Sequence, residues 1–137
     1  MGLDETDTLI VCGGDGVHAA SRDHRLVASV LRATEKCGRI ASTCTGAFLL
    51  GAAGLLDGRR AVTHWRRCDQ LAESCPKAEI DPDPIYIEDK GVWTSAGVTA
   101  GIDLALAMVE ADHGREAALE LARNLLVYRQ RPDGPSP

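Results

Sequence analysis

Residues 39–58, RIASTCTGAFLLGAAGLLDG, constrain the fold more than any other part of the chain. A short apolar run meets a long apolar segment dotted with glycine, and no polar loop separates them. The first run is typical of a buried strand and the second of a helix packed on most sides, so we predict a strand over 39–43 and a helix over 45–56. Cys44 lies at the junction, either as apolar filler or as a nucleophile held on a sharp turn.

Strands and helices alternate on both sides of this junction. Upstream, TLIVC (8–12) predicts a buried strand that ends at a glycine loop, and residues 23–37 have the spacing of an amphipathic helix. Downstream, the pattern predicts a strand over 60–64, a helix over 65–74, a hairpin of PIYIE and GVWTS, and helices over 97–114 and 115–127. Such alternation indicates an α/β domain with a largely parallel sheet.

Size and charge limit the classes of protein to which the chain can belong. A length of 137 residues favours a single domain. Twenty acidic residues against fifteen basic ones give a net charge of −5, so we do not expect this chain to bind DNA by itself. The first residues are acidic and polar, unlike an export signal, and the longest apolar run, GAFLLGAAGLL, is too short to span a membrane.

Cysteine usage predicts free thiols. The chain has five cysteines, an odd number, and none of them has CxxC spacing. Because the first residues are unlike an export signal, we expect these thiols to be reduced in the cytoplasm. His64, Cys68 and Cys75 could be metal ligands, but their spacing is not that of a zinc site. The loop GGDG lacks the Lys-Ser/Thr that follows in a phosphate-binding P-loop. We therefore expect neither a metal nor a cofactor.

The junction at Cys44 has the properties of a nucleophile elbow. A strand that turns directly into a helix lifts the turn residue out of the sheet edge, and Gly46 supplies the small neighbour that such a turn needs. The positive end of a helix favours the thiolate form of a cysteine placed there. The N–H of Thr45 would point at an oxyanion, and the Gly13–Gly14 loop could bring a second N–H. A buried structural cysteine is the alternative.

His64 ends the third predicted strand and so could project toward the same rim. A histidine near a thiolate can act first as a base and then as an acid. The alternative is a partly buried structural histidine that packs on Trp65. The other three histidines, His18, His24 and His113, lie at loop or helix-end positions and are predicted to be solvated.

Three stretches resemble the ThiJ/PfpI (DJ-1/PfpI) family of the class I glutamine-amidotransferase-like superfamily. TLIVCGGDG resembles the strand and glycine-pair loop of the family, IASTCTGAFLLGAAGLLDGRRAVTHW its cysteine elbow and Thr-x-His strand, and GVWTSAGVTAGIDLALAMVE its Thr-Ser-x-Gly segment. The resemblance implies a flavodoxin-like three-layer α/β sandwich over residues 1–128, followed by a linker stub over 129–137. It also implies that the first strands of the family fold would precede Met1, so that the edge of TLIVC is open to self-association.

A narrower resemblance is to the amidase-like N-terminal domain of AraC-type transcriptional regulators. It implies a homodimeric domain that binds a small metabolite and reaches DNA only through a helix-turn-helix module absent from this chain. Isonitrile hydratases share much of the elbow sequence, so a cysteine-dependent hydrolase or hydratase is the alternative function. A structural or dimerising module with an inert pocket is a third reading.

Carried over residue by residue, the resemblance makes Cys44 the elbow cysteine and His64 the histidine of the Thr-x-His position. These two are the predicted catalytic residues. The predicted oxyanion or ligand-binding residues are Gly13, Gly14, Thr45 and Gly46. The chain departs from the family pattern because the acidic residue near the cysteine would precede Met1, and Asp15 is the nearest acid in a rim loop.

Overall fold

The computed structural model describes residues 7–97 and 99–130, and for 126–130 it describes the backbone alone. Within these ranges the chain forms six strands and six α-helices. In chain order they are β1 (Thr8–Val11), α1 (Val17–Ser21), α2 (His24–Thr34), β2 (Arg39–Thr43), α3 (Ala47–Ala52), β3 (Arg60–Ala61), α4 (Cys68–Ser74), β4 (Glu79–Ile80), β5 (Tyr86–Asp89), β6 (Val92–Ser95), α5 (Ala100–His113) and α6 (Arg115–Gln130). The chain divides into two compact units, of which the first ends at Gly101 and the second begins at Ile102.

The main sheet has four strands in the order β1-β2-β6-β5. β1 pairs with β2 in parallel, β2 pairs with β6 in parallel, and only the β5–β6 pair is antiparallel. The register places Val11 opposite Ser42 and Thr43 opposite Ser95, so the carboxyl ends of β1, β2 and β6 lie at one edge. The predicted α/β class with a mostly parallel sheet is confirmed.

The core of the first unit is built around α3. Ala47 and Leu50 of α3 are completely buried, and Phe48 is nearly so. These side chains share one apolar cluster with residues from α1, α2, β2 and α4, namely Val17, Val30, Ile40 and Leu71. A helix buried on most sides is what the segment GAFLLGAAG predicts. It is shorter than the predicted 45–56, because Gly54 at φ +77° turns the chain after Ala52.

Helix α2 begins where the sequence predicts and ends earlier. The side chain of Asp23 accepts hydrogen bonds from the backbone N–H groups of Arg25 and Leu26, which makes it the N-cap. The helix ends at Thr34, three residues before the predicted end at 37. The chain then turns into β2, where the N–H of Gly38 donates to the carbonyl of Asp7 at 2.9 Å.

The predicted strand over 60–64 is wrong beyond Ala61. β3 has two residues, and it pairs with β4 in a separate two-stranded parallel sheet. The N–H of Val62 donates to the Thr94 side-chain oxygen at 3.0 Å, so it no longer takes part in a strand ladder. The predicted helix over 65–74 divides into a 3₁₀ turn (Trp65–Arg67) and α4. The short elements α1 and β4 were not predicted.

The hairpin of β5 and β6 is confirmed. Lys90 at φ +51° and Gly91 at φ +84° form its two-residue turn. Positive φ at both central residues defines the type I′ turn that matches the twist of antiparallel strands. The sequence predicted the hairpin, and the structure shows that its turn has two residues.

The two C-terminal helices differ from prediction at their ends. α5 starts at Ala100 rather than at 97 and closes at Gly114, whose φ is +93°. α6 runs through Gln130, past the predicted end at 127. Residues 129 and 130 of the predicted linker stub are thus helical, while 131–137 lie outside the described residues, and the boundary at 128 stays a prediction. Among the described residues no helix is both long and apolar enough to cross a bilayer.

β1 is an edge strand of the described sheet. Its Ile10 side chain is 46% exposed, which is unusual for a β-branched residue in the middle of a strand. An edge strand with an exposed apolar side chain can pair with another chain. Self-association through this edge stays a prediction.

All five cysteines lie within the described residues and are free thiols. Cys75 is buried in the core cluster against Gly51, where an added Cβ would collide with its sulfur. Burial raises the pKa of the Cys75 thiol above its ordinary value, and the carboxylate of Asp57 raises this pKa further. The folded state therefore favours the neutral thiol.

This raised pKa predicts a loss of stability in alkali. As the pH rises, Cys75 ionises in the unfolded chain before it ionises in the folded protein. The contribution of this thiol to the free energy of unfolding is therefore complete below about pH 8.5 and is lost as the pH rises through the folded-state pKa. Urea unfolding from pH 7 to pH 10 should show a fall in the free energy of unfolding that Cys75→Ala reduces. The exposed-thiol control Cys12→Ala should keep the wild-type slope, and an unchanged slope in Cys75→Ala would contradict the assignment.

Candidate functional site

Cys44 adopts a left-handed backbone conformation, with φ at +51°. Thr43 before it is extended, and a 3₁₀ turn (Cys44–Gly46) leads from Cys44 directly into α3. The chain thus changes direction within one residue at the carboxyl end of β2. A non-glycine residue in this conformation costs about 1–2 kcal/mol and persists only where its surroundings fix it.

A buried hydrogen bond fixes one side of this turn. The hydroxyl of Thr63 donates to the backbone carbonyl of Cys44 at 2.7 Å. Thr63 is completely buried, so the hydroxyl has no competing water. The Thr63 hydroxyl therefore ties the turn to the segment that follows β3.

Two glycines fix the other side through close backbone approach. A Cβ on Gly46 would collide with the carbonyl oxygen of Val11 at the end of β1. A Cβ on Gly13 would lie 2.6 Å from both the backbone nitrogen and the hydroxyl oxygen of Thr45. Real Cβ atoms do not come this close, so both positions require glycine. The end of β1 and the turn at Cys44 pack directly on each other.

The N–H of Gly14 is engaged within the site. It donates to the hydroxyl oxygen of Thr45 at 3.1 Å, and Gly14 itself has a φ of +143°. An oxyanion that used this N–H would have to displace the Thr45 hydroxyl. The predicted oxyanion roles of Gly14 and Thr45 stay predictions.

His64 is held by its own backbone surroundings. Its Nδ1 accepts a hydrogen bond from the N–H of Arg66 at 3.2 Å, and its ring stacks on Trp65 with the centroids 5.9 Å apart. A neutral imidazole has one donor and one acceptor nitrogen, so with Nδ1 accepting, the hydrogen lies on Nε2. Nε2 is therefore the donor nitrogen of the His64 ring. The packing on Trp65 that the sequence left open as an alternative is observed.

A pocket of about 590 Å³ opens at the carboxyl ends of β1 and β2. It brings together four of the six predicted site residues. Its lining consists of Gly14, Asp15, His18, Cys44, Thr45, His64, Arg66 and Arg67. Gly13 and Gly46 do not line it, since they lie in the contacts that support the turn.

Four lining residues were not among the predicted site residues, and of these Asp15 was named only as the nearest acid in a rim loop. His18 was predicted to be solvated, and this was wrong: it is partly buried on α1, with its ring edge-to-face to Phe48 at 5.1 Å. Arg66 and Arg67 follow His64 in a 3₁₀ turn that turns this basic pair toward the pocket. The adjacent pair of arginines after Thr63-His64-Trp65 was the available signal for them.

The other thiols do not join Cys44 in a metal site. Within residues 7–97 and 99–130, no three His, Cys, Asp or Glu side chains are grouped so as to hold a metal ion. The buried thiol of Cys68 instead donates to the backbone carbonyls of Thr63 and His64, each at 3.7 Å. The lining therefore presents one thiol, the imidazoles of His18 and His64, two guanidinium groups and one carboxylate from Asp15.

The DJ-1/PfpI family model matches residues 2–111. The match covers most of the chain, so the chain belongs to the DJ-1/PfpI family. Isonitrile hydratase of Pseudomonas putida is 35% identical over 126 residues, which cover 92% of this chain and 54% of the hydratase. The HTH-type transcriptional regulator GbdR of Pseudomonas aeruginosa is 32% identical over 127 residues, which cover 91% of this chain and 34% of the regulator.

A solved structure supports the same assignment. The crystal structure of a ThiJ/PfpI family protein from Pseudomonas syringae superposes with a TM-score of 0.78 at 34% identity, over 94% of this chain and 52% of that one. This likeness confirms the predicted flavodoxin-like α/β fold. The chain spans about half the length of the hydratase and of this structure, and about a third of the regulator.

The contact between Gly46 and β1 predicts a large effect of a single methyl group. Gly46→Ala would drive a Cβ into the Val11 carbonyl and should lower the free energy of unfolding by about 2–3 kcal/mol. Gly16→Ala is the matched control, because Gly16 has a φ of −78° and nothing within 4 Å of an added Cβ. Urea unfolding measures both, and an equal effect of the two substitutions would contradict the close approach.

Proposed function

We propose that this chain is the ligand-sensing domain of an AraC-type transcriptional regulator, and that it binds a small metabolite beside Cys44. The pocket of about 590 Å³ at the carboxyl ends of β1 and β2 is the observation that carries this proposal. Parallel α/β sheets bind ligands at this edge, and the volume suits a small molecule. Regulators such as GbdR are relatives that the chain matches over most of its own length.

Two hydrogen bonds favour binding over catalysis. The acceptor nitrogen of His64 already takes the N–H of Arg66, so it is not free to remove a proton from the Cys44 thiol. The N–H of Gly14 already donates to the Thr45 hydroxyl rather than to an oxyanion. Both groups would have to change partners before each catalytic step, whereas binding requires neither change.

The regulatory role requires a second module for DNA. The net charge of −5 is unsuited to a phosphate backbone, so DNA contact belongs to a separate helix-turn-helix module. We propose that the domain works as a homodimer in the cytoplasm, where its five free thiols stay reduced. Ligand binding beside Cys44 would then change the relative positions of the two DNA-binding modules of the dimer.

A cysteine-dependent hydratase or hydrolase is the second candidate. The left-handed conformation of Cys44 favours it, because strained backbone at a nucleophile that lines a pocket is common in active sites. Isonitrile hydratase of Pseudomonas putida is a relative of similar identity to the regulator. In this candidate the Cys44 sulfur attacks an electrophilic carbon, and water later releases the product.

A binding and turnover experiment separates the two candidates. Isotope-labelled protein is titrated with a panel of small metabolites and one alkyl isonitrile, and each ligand is quantified again after a day. The proposal predicts saturable shifts of the amide signals of Gly14 and Thr45 with no ligand consumed. Cys44→Ala and the exposed-cysteine control Cys12→Ala should both retain this binding.

Two other results would contradict the sensing function. Product that forms with wild type and Cys12→Ala but not with Cys44→Ala would establish the enzyme instead. A panel in which no compound moves the signals of Gly14 or Thr45 would contradict the sensing function.

A further inference from the structure

We propose that the pocket beside Cys44 recognises a small molecule through a single carboxylate group, held by the guanidinium groups of Arg66 and Arg67. This inference rests on the proposed function, because it names the class of ligand for the same pocket. Neither arginine belongs to the predicted elbow site.

The two arginines are consecutive residues of the 3₁₀ turn Trp65–Arg67, and both line the pocket. The Arg66 guanidinium lies over the ring of Trp65, 4.9 Å from its centroid. Nη1 of Arg67 donates to the side-chain oxygen of Gln70 at 3.3 Å. Both partners are neutral, and neither arginine forms an ion pair with another residue that the structure describes. Each arginine thus brings to the pocket lining a positive charge that no described residue ion-pairs.

The charge of the pocket is opposite to that of the chain. Asp15 supplies the one carboxylate of the lining, against the two guanidinium groups. With neutral histidines the lining has an excess of one positive charge, whereas the whole chain has a net charge of −5. A concave site lined by one sign of charge concentrates ligands of the opposite sign. The pocket is therefore selective for an anion on a chain that otherwise repels anions.

The number and shape of these donors favour a carboxylate. A guanidinium presents a planar fork of N–H groups that matches the two oxygens of a carboxylate. One excess positive charge balances one carboxylate, whereas a phosphate monoester carries about −1.5 to −2 and would remain undercompensated. His64 belongs to the same lining, and because its Nδ1 accepts the N–H of Arg66, its Nε2 is the ring nitrogen that can donate. The ligand class is thus a small monocarboxylate.

A pair of alkylating agents of nearly equal size tests this selectivity. Iodoacetate carries a carboxylate where iodoacetamide carries a neutral amide, and both attack thiols. The rate of Cys44 alkylation by each is followed by mass spectrometry of tryptic peptides. We expect the iodoacetate-to-iodoacetamide rate ratio to be about tenfold higher at Cys44 than at the neutral model thiol N-acetylcysteinamide at low salt. This excess should decrease toward the model value in about 1 M salt.

Three variants assign the effect to the arginines. Arg66→Gln and Arg67→Gln should each lower the iodoacetate-to-iodoacetamide rate ratio at Cys44 several-fold, because the ratio cancels any change in the reactivity of the thiol itself. Arg32→Gln is the control, because it removes the same charge from the exposed surface of α2, where Arg32 contacts Ser29. This control should keep the wild-type ratio.

Two results would overturn the inference, and they differ in what they say of the proposed function. In the first, iodoacetamide labels Cys44 normally, but the iodoacetate-to-iodoacetamide rate ratio equals that of the model thiol and does not change in either arginine variant. This result would exclude a carboxylate site while leaving the pocket open to small molecules. Failure of both reagents to label Cys44 in the folded protein would show a closed site, and would overturn the sensing function as well.

Discussion

The left-handed backbone of Cys44 is the constraint on which the rest of the site depends. It lets an extended strand become a buried helix within a three-residue turn. The conformation is unfavourable for any residue with a Cβ, so the surroundings must maintain it. They do so through the Thr63 hydroxyl on the Cys44 carbonyl and through the contact of Gly46 with the end of β1.

The turn at Cys44 and the pairing of β1 with β2 together determine where the pocket lies. Because β1 and β2 are parallel and in register, the loop at Gly14 and the turn at Cys44 meet at one edge of the sheet. The segment that donates the Thr63 bond continues directly into His64 and the arginine-bearing turn. The hydrogen bond from Thr63 to Cys44 therefore also helps to position the segment that carries Arg66 and Arg67. The thiol and the proposed carboxylate site are supported by the same short stretch of chain.

Local sequence predicts the parts of this arrangement that local residues determine. The strand-to-helix junction at Cys44 and the turn at Lys90–Gly91 are encoded by short patterns with one matching backbone conformation. The segment around residues 60–67 was mispredicted, because its course depends on a bond between Val62 and Thr94, thirty-two residues away. The same holds for His18, whose position follows from a five-residue helix too short to have a periodic signature.

The free energy of unfolding of Cys44→Gly relative to Cys44→Ala tests the central claim most directly. At an ordinary helical position glycine is less stable than alanine by about 1 kcal/mol. At a left-handed position the order reverses, because alanine has the Cβ penalty and glycine does not. A constrained left-handed Cys44 predicts that Cys44→Gly is more stable than Cys44→Ala by about 1 kcal/mol in urea unfolding. A Cys44→Ala protein as stable as Cys44→Gly, or more stable, would contradict the account.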